Sequence, residues 1–591
     1  MSQTQYEGPH GNDPEPPDAP GSKGREDKGL LGLIEKIGNK LPDPAALFAI
    51  GAVLVIACSA LFSGWEVQPM TPVAVVDAET GGRTLDLVPK EGAEAETVNS
   101  MLTRDGFYWA IRTIVDNFIN FAPLGVVLVG MLGIGVAEKT GLLATVLKVF
   151  MLIVPRFLLT PTMLFLGIMS SLATDAGYVV LPPLAAALYA SVGRSPLAGL
   201  AAVFAGVAAG FNANLVITGL DPLLARLTQV GANLIEPDYA VSPSCNWLFM
   251  IASTFVITGV GWVTSDLIVE KRLRRKPPEE GGPDPARAGD STDVDQQRIK
   301  PEETRALGFA AIAAAVFVAA MLALILIPNA PLQGRGFDGL VPEKTNNLKD
   351  FFPRWIESIV PLLFFGFVIP GIVYGAALGK IKNSKDAAGM MIGAMADMAP
   401  IIVLAFFAGQ FIAYFGYSNL DTMLAMSGGQ LLFSLGLPSW SLIIAFILLV
   451  GVFNLFVGSM SAKYTLFAPI FVPMLMLVGI APELTQAAYR VGDSVTNIIT
   501  PLNAYLVIVL VFMRKYVPKA GMGTLIATML PYSLTFLLAW TVMIVVWMTF
   551  NIPLGLPFDT GPLFYEAPTA AEMAAPPETP AEPAADPAPS E

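Results

Sequence analysis

Long apolar stretches alternate with short polar ones along most of this chain. Four clear apolar runs are 45–61, 307–327, 359–378 and 504–513. Most of them lie in windows long enough to cross about 30 Å of hydrocarbon, which is the thickness of a bilayer core. The pattern predicts a helical protein that crosses the membrane many times.

Nine segments qualify as predicted membrane-spanning helices. They are 44–63, 110–137, 196–222, 246–268, 307–327, 357–379, 389–415, 482–513 and 523–550. Two more apolar stretches, 156–193 and 440–479, are too long for one crossing and have polar residues at their middles. We interpret each as a re-entrant hairpin, the alternative being an ordinary pair of helices kinked at proline. The predicted fold is an all-α integral membrane protein with nine transmembrane helices and two re-entrant hairpins.

An internal repeat relates the two halves of the chain. When Tyr178 is aligned with Tyr464, an offset of 464 − 178 = 286, nine identities fall without gaps within the 31 positions 176–206. The identical pairs include Pro183 with Pro469 and other proline and glycine positions. An apolar composition alone does not readily supply shared proline, glycine and tyrosine, so the pattern indicates a duplication.

Clusters of basic residues orient the predicted spans. Lysine and arginine concentrate near 139–156, 271–276, 380–385 and 514–519, and all four clusters can be cytoplasmic at once. This orientation places the N-terminus in the cytoplasm and the C-terminus outside, although the basic residues of the external loop 328–355 fit it poorly. It also inverts one copy of the repeat relative to the other, which is typical of alternating-access carriers.

The chain is therefore predicted to have six parts. They are a disordered cytoplasmic tail 1–29, a first inverted repeat 30–270 with hairpin 156–193, a cytoplasmic linker 271–306, a linking span 307–327, a second inverted repeat 355–550 with hairpin 440–479, and an acidic disordered tail 551–591.

Composition narrows the class of function. The 591 residues are 54% hydrophobic and only 14% charged, as expected of a membrane protein. Two cysteines and one histidine leave no Cys/His set for a metal or redox centre and remove the commonest general base, so an enzyme is the weaker class. No P-loop is found, which argues against an ATP-driven pump. The acidic tails do not suggest a nucleic-acid partner, and no cofactor is predicted.

The predicted hairpin tips carry the first candidate chemistry. Their polar residues are Ser170, Ser171, Thr174 and Asp175 in one copy and Ser459, Ser461 and Lys463 in the other. A helix that restarts at a tip leaves free N–H groups with partial positive charge, which bind carboxylates, while hydroxyl and carbonyl oxygens suit Na⁺. Asp175 and Lys463 are ionisable groups at predicted midplane depth, so each is a functional candidate. The alternative is that one tip neutralises the other.

The segment AYRVGDSVTNIITPLNAY after the second hairpin carries more. Arg490, Asp493 and Asn497 lie at i, i+3 and i+7 on one helix face, and Pro501 frees the carbonyl of Asn497. We expect a cation and substrate site there, the alternative being a structural Arg490–Asp493 ion pair within the helix. The matching stretch of the first copy carries Asn212, Asn214, Thr218 and Asp221 but no Arg/Asp pair.

These motifs resemble those of the p-aminobenzoyl-glutamate transporter (AbgT) family over nearly all of residues 30–550. The resemblance is carried by IEKIGNKLPDP, FAPLGVVLVGMLGIGVAEKTGLL, the long segment from TDAGYVVLPP to GFNANL, and SMSAKYTLFAPIFVPML with AYRVGDSVTNIITPLNAY. It implies nine spans with two hairpins, a homodimer in the bacterial inner membrane, and either uptake of p-aminobenzoyl-glutamate or export of sulfonamide-like antifolates.

The resemblance also implies functional residues. They are Asp175, Asn454, Ser461, the aromatic residue at 464, Pro482, Arg490, Asp493 and Pro501. Position 464 is Tyr, where the family pattern has Trp. Tyr keeps a face for stacking and adds a hydroxyl group, so the substrate preference stays open.

The sequence therefore predicts a secondary transporter of small aromatic carboxylates, coupled to a gradient of Na⁺ or H⁺. Arg490 or Lys463 would bind a carboxylate together with the helix N-termini, and Tyr464 would stack on the ring. The candidate Na⁺ ligands are Asp175, Asn214, Asp493 and Asn497. The alternative is a proton-driven exporter of antifolate drugs in which Asp493 or Asp175 titrates. Lipid and a second copy of the chain are the other expected partners.

Overall fold

The structure is a computed structural model. It describes residues 44–76, 83–90, 94–152, 155–173, 176–284, 299–334, 353–457, 459–500, 503 and 505–569. Several predicted features lie wholly or partly outside the described residues. They are the tail 1–29, parts of the first repeat 30–270, of the linker 271–306, of the external loop 328–355 and of the tail 551–591, and the residues Thr174, Asp175 and Pro501.

The described residues of the first half form ten helices, with the segment from Trp247 to Leu273 counted as one. They are α1 Pro44–Leu61, α2 Arg104–Arg112, α3 Ile114–Ile119, α4 Ala122–Thr140, α5 Leu142–Leu152, α6 Leu159–Met169, α7 Ala176–Ser191, α8 Pro196–Phe204, α9 Leu220–Ala232 and α10 Trp247–Thr264. A π-helical turn, Ala205–Ala209, extends α8, and another, Ser265–Val269, carries α10 on to Leu273.

The described residues of the second half form eleven helices. They are α11 Pro301–Leu326, α12 Arg354–Glu357, α13 Ile359–Ala377, α14 Ser384–Asp397, α15 Ala399–Tyr417, α16 Leu420–Ser434, α17 Ser439–Asn454, α18 Met460–Met476, α19 Pro482–Val495, α20 Tyr505–Tyr516 and α21 Met522–Thr549.

Five helices of the described residues are long and apolar enough to cross a membrane by themselves. They are Trp247–Leu273, Pro301–Leu326, Ile359–Ala377, Ala399–Tyr417 and Met522–Thr549. A sixth span results if Leu128–Thr140 and Leu142–Val149, which meet at 65°, are taken together. Helix length and composition give fewer spans among the described residues than the nine that the sequence predicts, because several predicted spans are interrupted.

The interruptions have local causes. The predicted span 389–415 is two helices that meet at Met398, where Pro400 in the first turn of α15 cannot donate a hydrogen bond to the preceding helix. The predicted spans 196–222 and 482–513 both contain an unwound stretch, at 210–219 and, among the described residues, at 496–500 and 503. The predicted span 110–137 is divided among α2, α3 and α4.

Both predicted hairpins consist of two antiparallel helices. In the first, α6 and α7 are joined at their far ends by a 2.7 Å hydrogen bond from the Tyr189 hydroxyl to Thr160 Oγ1. In the second, α17 and α18 pack through two phenylalanine pairs with ring centroids 5.1 Å apart, Phe446–Phe471 and Phe453–Phe467. The chain therefore turns back on itself between Met169 and Ala176 and between Asn454 and Met460.

Two glycine pairs of the repeat have matching environments. Gly193 and Gly479, which follow the two hairpins, have φ values of 75° and 78°, a left-handed conformation that glycine adopts most easily. Gly206 and Gly492 each let the first helix of a hairpin approach closely. A Cβ at Gly492 would lie 2.5 Å from the Ile447 carbonyl oxygen, and one at Gly206 would clash with the Leu164 carbonyl oxygen.

The prediction of an all-α protein is wrong for the segment between α1 and α2. Strand β1 Glu66–Val67 pairs with β4 Glu96–Thr97, and β2 Met70–Val76 pairs with β3 Arg83–Pro89, both antiparallel. Thr and Val dominate β2 because β-branched side chains suit a pleated surface. The segment is too polar to be a membrane span, so hydrophobic length alone does not predict its strands.

The predicted boundary of the C-terminal tail at 551 is also wrong. The amide of Ala74 in β2 donates to the Pro568 carbonyl (3.1 Å), and the amide of Tyr565 donates to the Gly479 carbonyl (3.0 Å). Leu554 and Leu563 are buried, so the apolar residues of this segment hold residues 551–569 against the helices and the β2–β3 hairpin.

Candidate functional site

A cavity of about 510 Å³ lies where the two hairpin turns meet the two unwound stretches. Its polar lining comes from both hairpin turns and both stretches, namely Ser171, Thr218, Ser459, Ser461, Asn497 and Asn503. Glu138 of α4 and Asp397 of α14 also line it. Elements of both halves of the chain therefore enclose one cavity.

The two unwound stretches hold the opposite half of the chain through side-chain amides. Asn212 Nδ2 donates to the Arg490 carbonyl oxygen (3.1 Å) and to Ser494 Oγ (2.6 Å). Asn497 Nδ2 donates to the Ala208 carbonyl oxygen (3.3 Å). Asparagine competes well for main-chain partners, which explains why the helices open here rather than continue.

The hairpin turns bring hydroxyl groups and a helix N-terminus to the cavity. At the first turn, Ser171 Oγ donates to Asn214 Oδ1 (2.7 Å). At the second, α18 begins at Met460 with Ser459 as its N-cap, and Ser459 Oγ accepts a hydrogen bond from the Ala462 amide (3.4 Å). Because Ser461 belongs to the first turn of α18, the partial positive charge of this N-terminus faces the cavity.

Lys463 forms a buried ion pair with Asp493. Its Nζ lies 2.6 Å from Asp493 Oδ1, and both side chains are 1% exposed. Asn454 completes the cluster, since its Oδ1 accepts a hydrogen bond from Lys463 Nζ and its Nδ2 donates to the Asp493 carbonyl oxygen (2.5 Å) and to Asn497 Oδ1 (2.9 Å). The pair ties α18 to α19 and neutralises both charges where water is excluded.

Arg490 pairs with Asp221 of the first half. Arg490 Nη2 donates to Asp221 Oδ1 (2.6 Å), and Asp221 Oδ2 accepts from both the amide and the hydroxyl group of Thr218 (2.6 and 2.9 Å). The two side chains of the ion pair are 4% and 2% exposed. The pair connects α19 to the start of α9.

These contacts differ from an Arg490–Asp493 ion pair within α19. Each of these two residues has its partner on another element. Lys463 is neutralised by Asp493. Neither Lys463 nor Arg490 is among the described residues that line the cavity. Asp221 was visible in the sequence, but its partner lies 269 residues away, beyond the reach of spacing arguments.

Tyr464 is enclosed in the protein core. It is 0% exposed, its hydroxyl group lies 2.6 Å from Thr228 Oγ1, and its ring lies 4.3 Å from that of Tyr489. It is not among the described residues that line the cavity. In this conformation Tyr464 positions α18 against α9 and offers no face to a ligand.

A different aromatic pair lines the cavity. Tyr178, near the start of α7, stacks on Tyr505, the first residue of α20, with ring centroids 3.9 Å apart and planes at 6°. The repeat alignment could have indicated Tyr178, because it is the counterpart of Tyr464. Only the fold brings Tyr505 beside it.

The predicted Na⁺ ligands are only partly brought together. Asn497 and Asp493 are linked through Asn454, whereas Asn214 Oδ1 is bound by Ser171 of the other turn. Asp493 already has the Lys463 ammonium beside it. Among the remaining residues, Pro482 occupies the first turn of α19 and is buried, where its missing N–H costs no hydrogen bond.

Comparisons with known proteins agree on one family. Residues 29–561 match the AbgT putative transporter family. The p-aminobenzoyl-glutamate transport protein of Escherichia coli (strain K12) is 32% identical over 527 residues, which cover 89% of this chain and 96% of that protein.

Two solved structures are similar over most of the chain. The Alcanivorax borkumensis YdaH transporter, described as having an unusual topology, is 40% identical with a TM-score of 0.74, covering 87% of this chain and 100% of that one. Neisseria gonorrhoeae MtrF, described as illuminating a class of antimetabolite efflux pumps, is 40% identical with a TM-score of 0.75, covering 88% and 97%. The family that the motifs indicated is thereby confirmed.

Proposed function

The chain belongs to the AbgT family of transporters, and on this premise we propose that it is a secondary carrier of aromatic organic anions such as p-aminobenzoyl-glutamate. The observation that carries the proposal is the single cavity enclosed by two hairpin turns and two unwound stretches. Its volume of about 510 Å³ falls within the range of small-molecule sites.

Alternating access is the proposed mode of transport. The matched glycines Gly193 and Gly479, and Gly206 and Gly492, support a duplicated architecture in which each hairpin packs on its neighbouring helix in the same way. Inverted repeats with broken helices around a central site are typical of carriers that expose the site to one side at a time. We further propose the orientation given by the basic clusters, with the N-terminus in the cytoplasm of a bacterial cell.

The N-terminus of α18 is the proposed carboxylate site. Ser459 and Ser461 line the cavity there, and main-chain N–H groups at a helix N-terminus bind anions. Lys463 also lies in the first turn of α18, so its positive charge adds to the positive potential of this N-terminus. Its partner Asp493 neutralises most of that charge. Arg490 and Lys463 would then affect the substrate indirectly, because their ion pairs hold the surrounding helices in place. They would bind the substrate directly only after those pairs open.

The proton is the coupling ion that the contacts of Asp493 favour. A Na⁺ ion bound at Asp493 would be repelled by the Lys463 ammonium, which lies 2.6 Å from the same carboxylate. We therefore propose that a proton gradient, rather than a Na⁺ gradient, drives the carrier.

Export of an antifolate drug is the second candidate function. The described lining residues include Glu138 and Asp397 but no lysine or arginine. Such a lining also suits a neutral aromatic drug such as a sulfonamide, which needs no cation for binding. The homodimer stays a proposal as well; only 6% of the apolar window in α11 is buried within the chain, leaving surface for lipid or a second copy.

Uptake into proteoliposomes tests the proposal. Labelled p-aminobenzoyl-glutamate would be offered with an imposed pH gradient or Na⁺ gradient in separate runs. We expect saturable uptake driven by the pH gradient, lost in Asp493→Asn and kept in Asp86→Asn, a control at an exposed carboxylate of β3. Uptake that ignores both gradients would contradict coupled transport, and movement of labelled sulfonamide alone would replace the substrate with the second candidate.

A further inference from the structure

Two stacked tyrosines form an aromatic surface in the cavity. The rings of Tyr178 and Tyr505 lie 3.9 Å apart and are almost parallel, and both residues line the cavity. The edge of Phe204 meets Tyr178 with centroids 6.1 Å apart, which fixes that ring from within the core. Tyr505 is the less buried of the two, so its ring is the more accessible to a ligand.

The main chain at Tyr505 is held by an asparagine of the same cavity. Asn503 Oδ1 accepts a hydrogen bond from the Tyr505 amide (3.0 Å), and Asn503 Nδ2 donates to the Asn497 carbonyl oxygen (2.9 Å). Asn503 therefore caps the start of α20 and links it to the unwound stretch. The tyrosine ring is consequently presented from a fixed main chain.

The counterpart of Tyr178 in the repeat is not among the described residues that line the cavity. Tyr464 is 0% exposed and its hydroxyl group is engaged with Thr228. The duplication has thus left one tyrosine in the cavity and the other in the core. An aromatic ligand in the cavity can reach the first without any rearrangement of α18.

We propose that the Tyr178–Tyr505 pair receives the aromatic ring of the substrate, an inference that rests on the proposed function and names the residues that select for a ring. Aromatic rings pack on one another in offset parallel arrangements, so an incoming ring can pack against Tyr505 and extend the pair. The N-terminus of α18, at Ser459 and Ser461, borders the same cavity. A ligand with a ring at one end and carboxylates at the other matches both features.

The pair also joins elements that alternating access would separate. Tyr178 belongs to the first hairpin and Tyr505 to the helix after the second unwound stretch. A ring bound to the pair would contact both elements together. Selection for the ring and positioning of the hairpin would then depend on the same two side chains.

Ligand affinity with and without a ring tests this inference. The purified full-length protein would be titrated with labelled p-aminobenzoyl-glutamate and with N-acetylglutamate, which keeps both carboxylates but lacks the ring. We expect Tyr505→Leu to weaken the first roughly two- to twelvefold, as expected for one lost aromatic pair, and to leave the second unchanged. Tyr505→Phe and Tyr464→Phe, the matched controls, should keep the wild-type ratio.

Each result has a distinct meaning. A Tyr505→Leu protein that keeps the wild-type preference for the ring would overturn the inference and leave the proposed function standing. A wild-type protein that binds neither ligand would overturn the proposed function and this inference with it. If Tyr505→Leu does not fold, Tyr505→Trp provides the test: its added indole fluorescence should be quenched saturably by the aromatic ligand and not by N-acetylglutamate. Equal quenching by both would also overturn the inference.

Discussion

Removing either partner of the Lys463–Asp493 pair should strongly destabilise the protein. The two charged atoms lie 2.6 Å apart and both side chains are 1% exposed, so neither charge can turn to water when its partner is lost. Removing one member of such a buried pair costs about 3–5 kcal/mol of the free energy of unfolding. We expect that loss for Lys463→Met and for Asp493→Leu.

The double variant should recover most of the loss. Replacing both partners by apolar side chains of similar volume is often neutral or stabilising, because no charge then remains in the core. The free energy of unfolding of Lys463→Met/Asp493→Leu should therefore lie within about 1 kcal/mol of wild type. Unfolding by a denaturing detergent in lipid–detergent micelles, followed by tryptophan fluorescence, measures all three variants on one scale.

A surface pair provides the control. Lys139 Nζ lies 2.5 Å from Asp397 Oδ2, but the side chains are 37% and 57% exposed. Solvated pairs contribute about 0–1 kcal/mol, so Lys139→Met should cost little. The reasoning is refuted if Lys463→Met costs no more than Lys139→Met, or if the double variant loses as much as the two single variants added together.

Three further outcomes are expected. Gly492→Ala should lower the free energy of unfolding by about 1–3 kcal/mol, because its Cβ would overlap a main-chain oxygen of α17. Gly308→Ala is the control, because a Cβ there would meet no atom within 4 Å, and it should not lower the free energy of unfolding. Tyr464→Phe should cost about 0.5–1.5 kcal/mol through one lost hydrogen bond while preserving uptake. Burial raises the pKa of Asp421, beside the β-strands, from 3.8 to about 6. The folded state therefore binds the proton more tightly, and stability contributed by this carboxyl group falls as pH rises from about 4 to 6. Asp421→Asn should therefore have a higher melting temperature than wild type at pH 7. At pH 4 the two proteins should melt at the same temperature.

Patterns within one segment predicted local features well. The polar interruptions lie between the two helices of each hairpin, after Met169 and after Asn454. Arg490 and Asp493 share one helix as predicted, but the prediction is wrong for Asn497, because α19 ends at Val495. Glycine identities in the repeat predicted positions with matching geometry. These features depend on residues close together in sequence, so periodicity and composition can indicate them.

Partners across the fold could not be predicted in this way. Asp221 and Lys463, on different elements, neutralise Arg490 and Asp493 of α19, and no spacing rule relates residues so far apart. Tyr464 was expected to face a substrate, but packing against Tyr489 and Thr228 placed it in the core. The length of an apolar run indicates a membrane span but not a short β-strand. The strands between α1 and α2 were therefore not predicted.

Alternating access requires that the cavity can be reached from each side of the membrane in turn. Ser461→Cys, made after replacing Cys58 and Cys245 by alanine, would be treated with a membrane-impermeant maleimide in right-side-out and inside-out vesicles, with Thr84→Cys as an exposed control on β3. We expect Ser461→Cys to react from one side at rest and from both sides during turnover, with protection by p-aminobenzoyl-glutamate, while Thr84→Cys reacts from one side throughout. Reaction of Ser461→Cys from the same single side under every condition would contradict alternating access around this cavity.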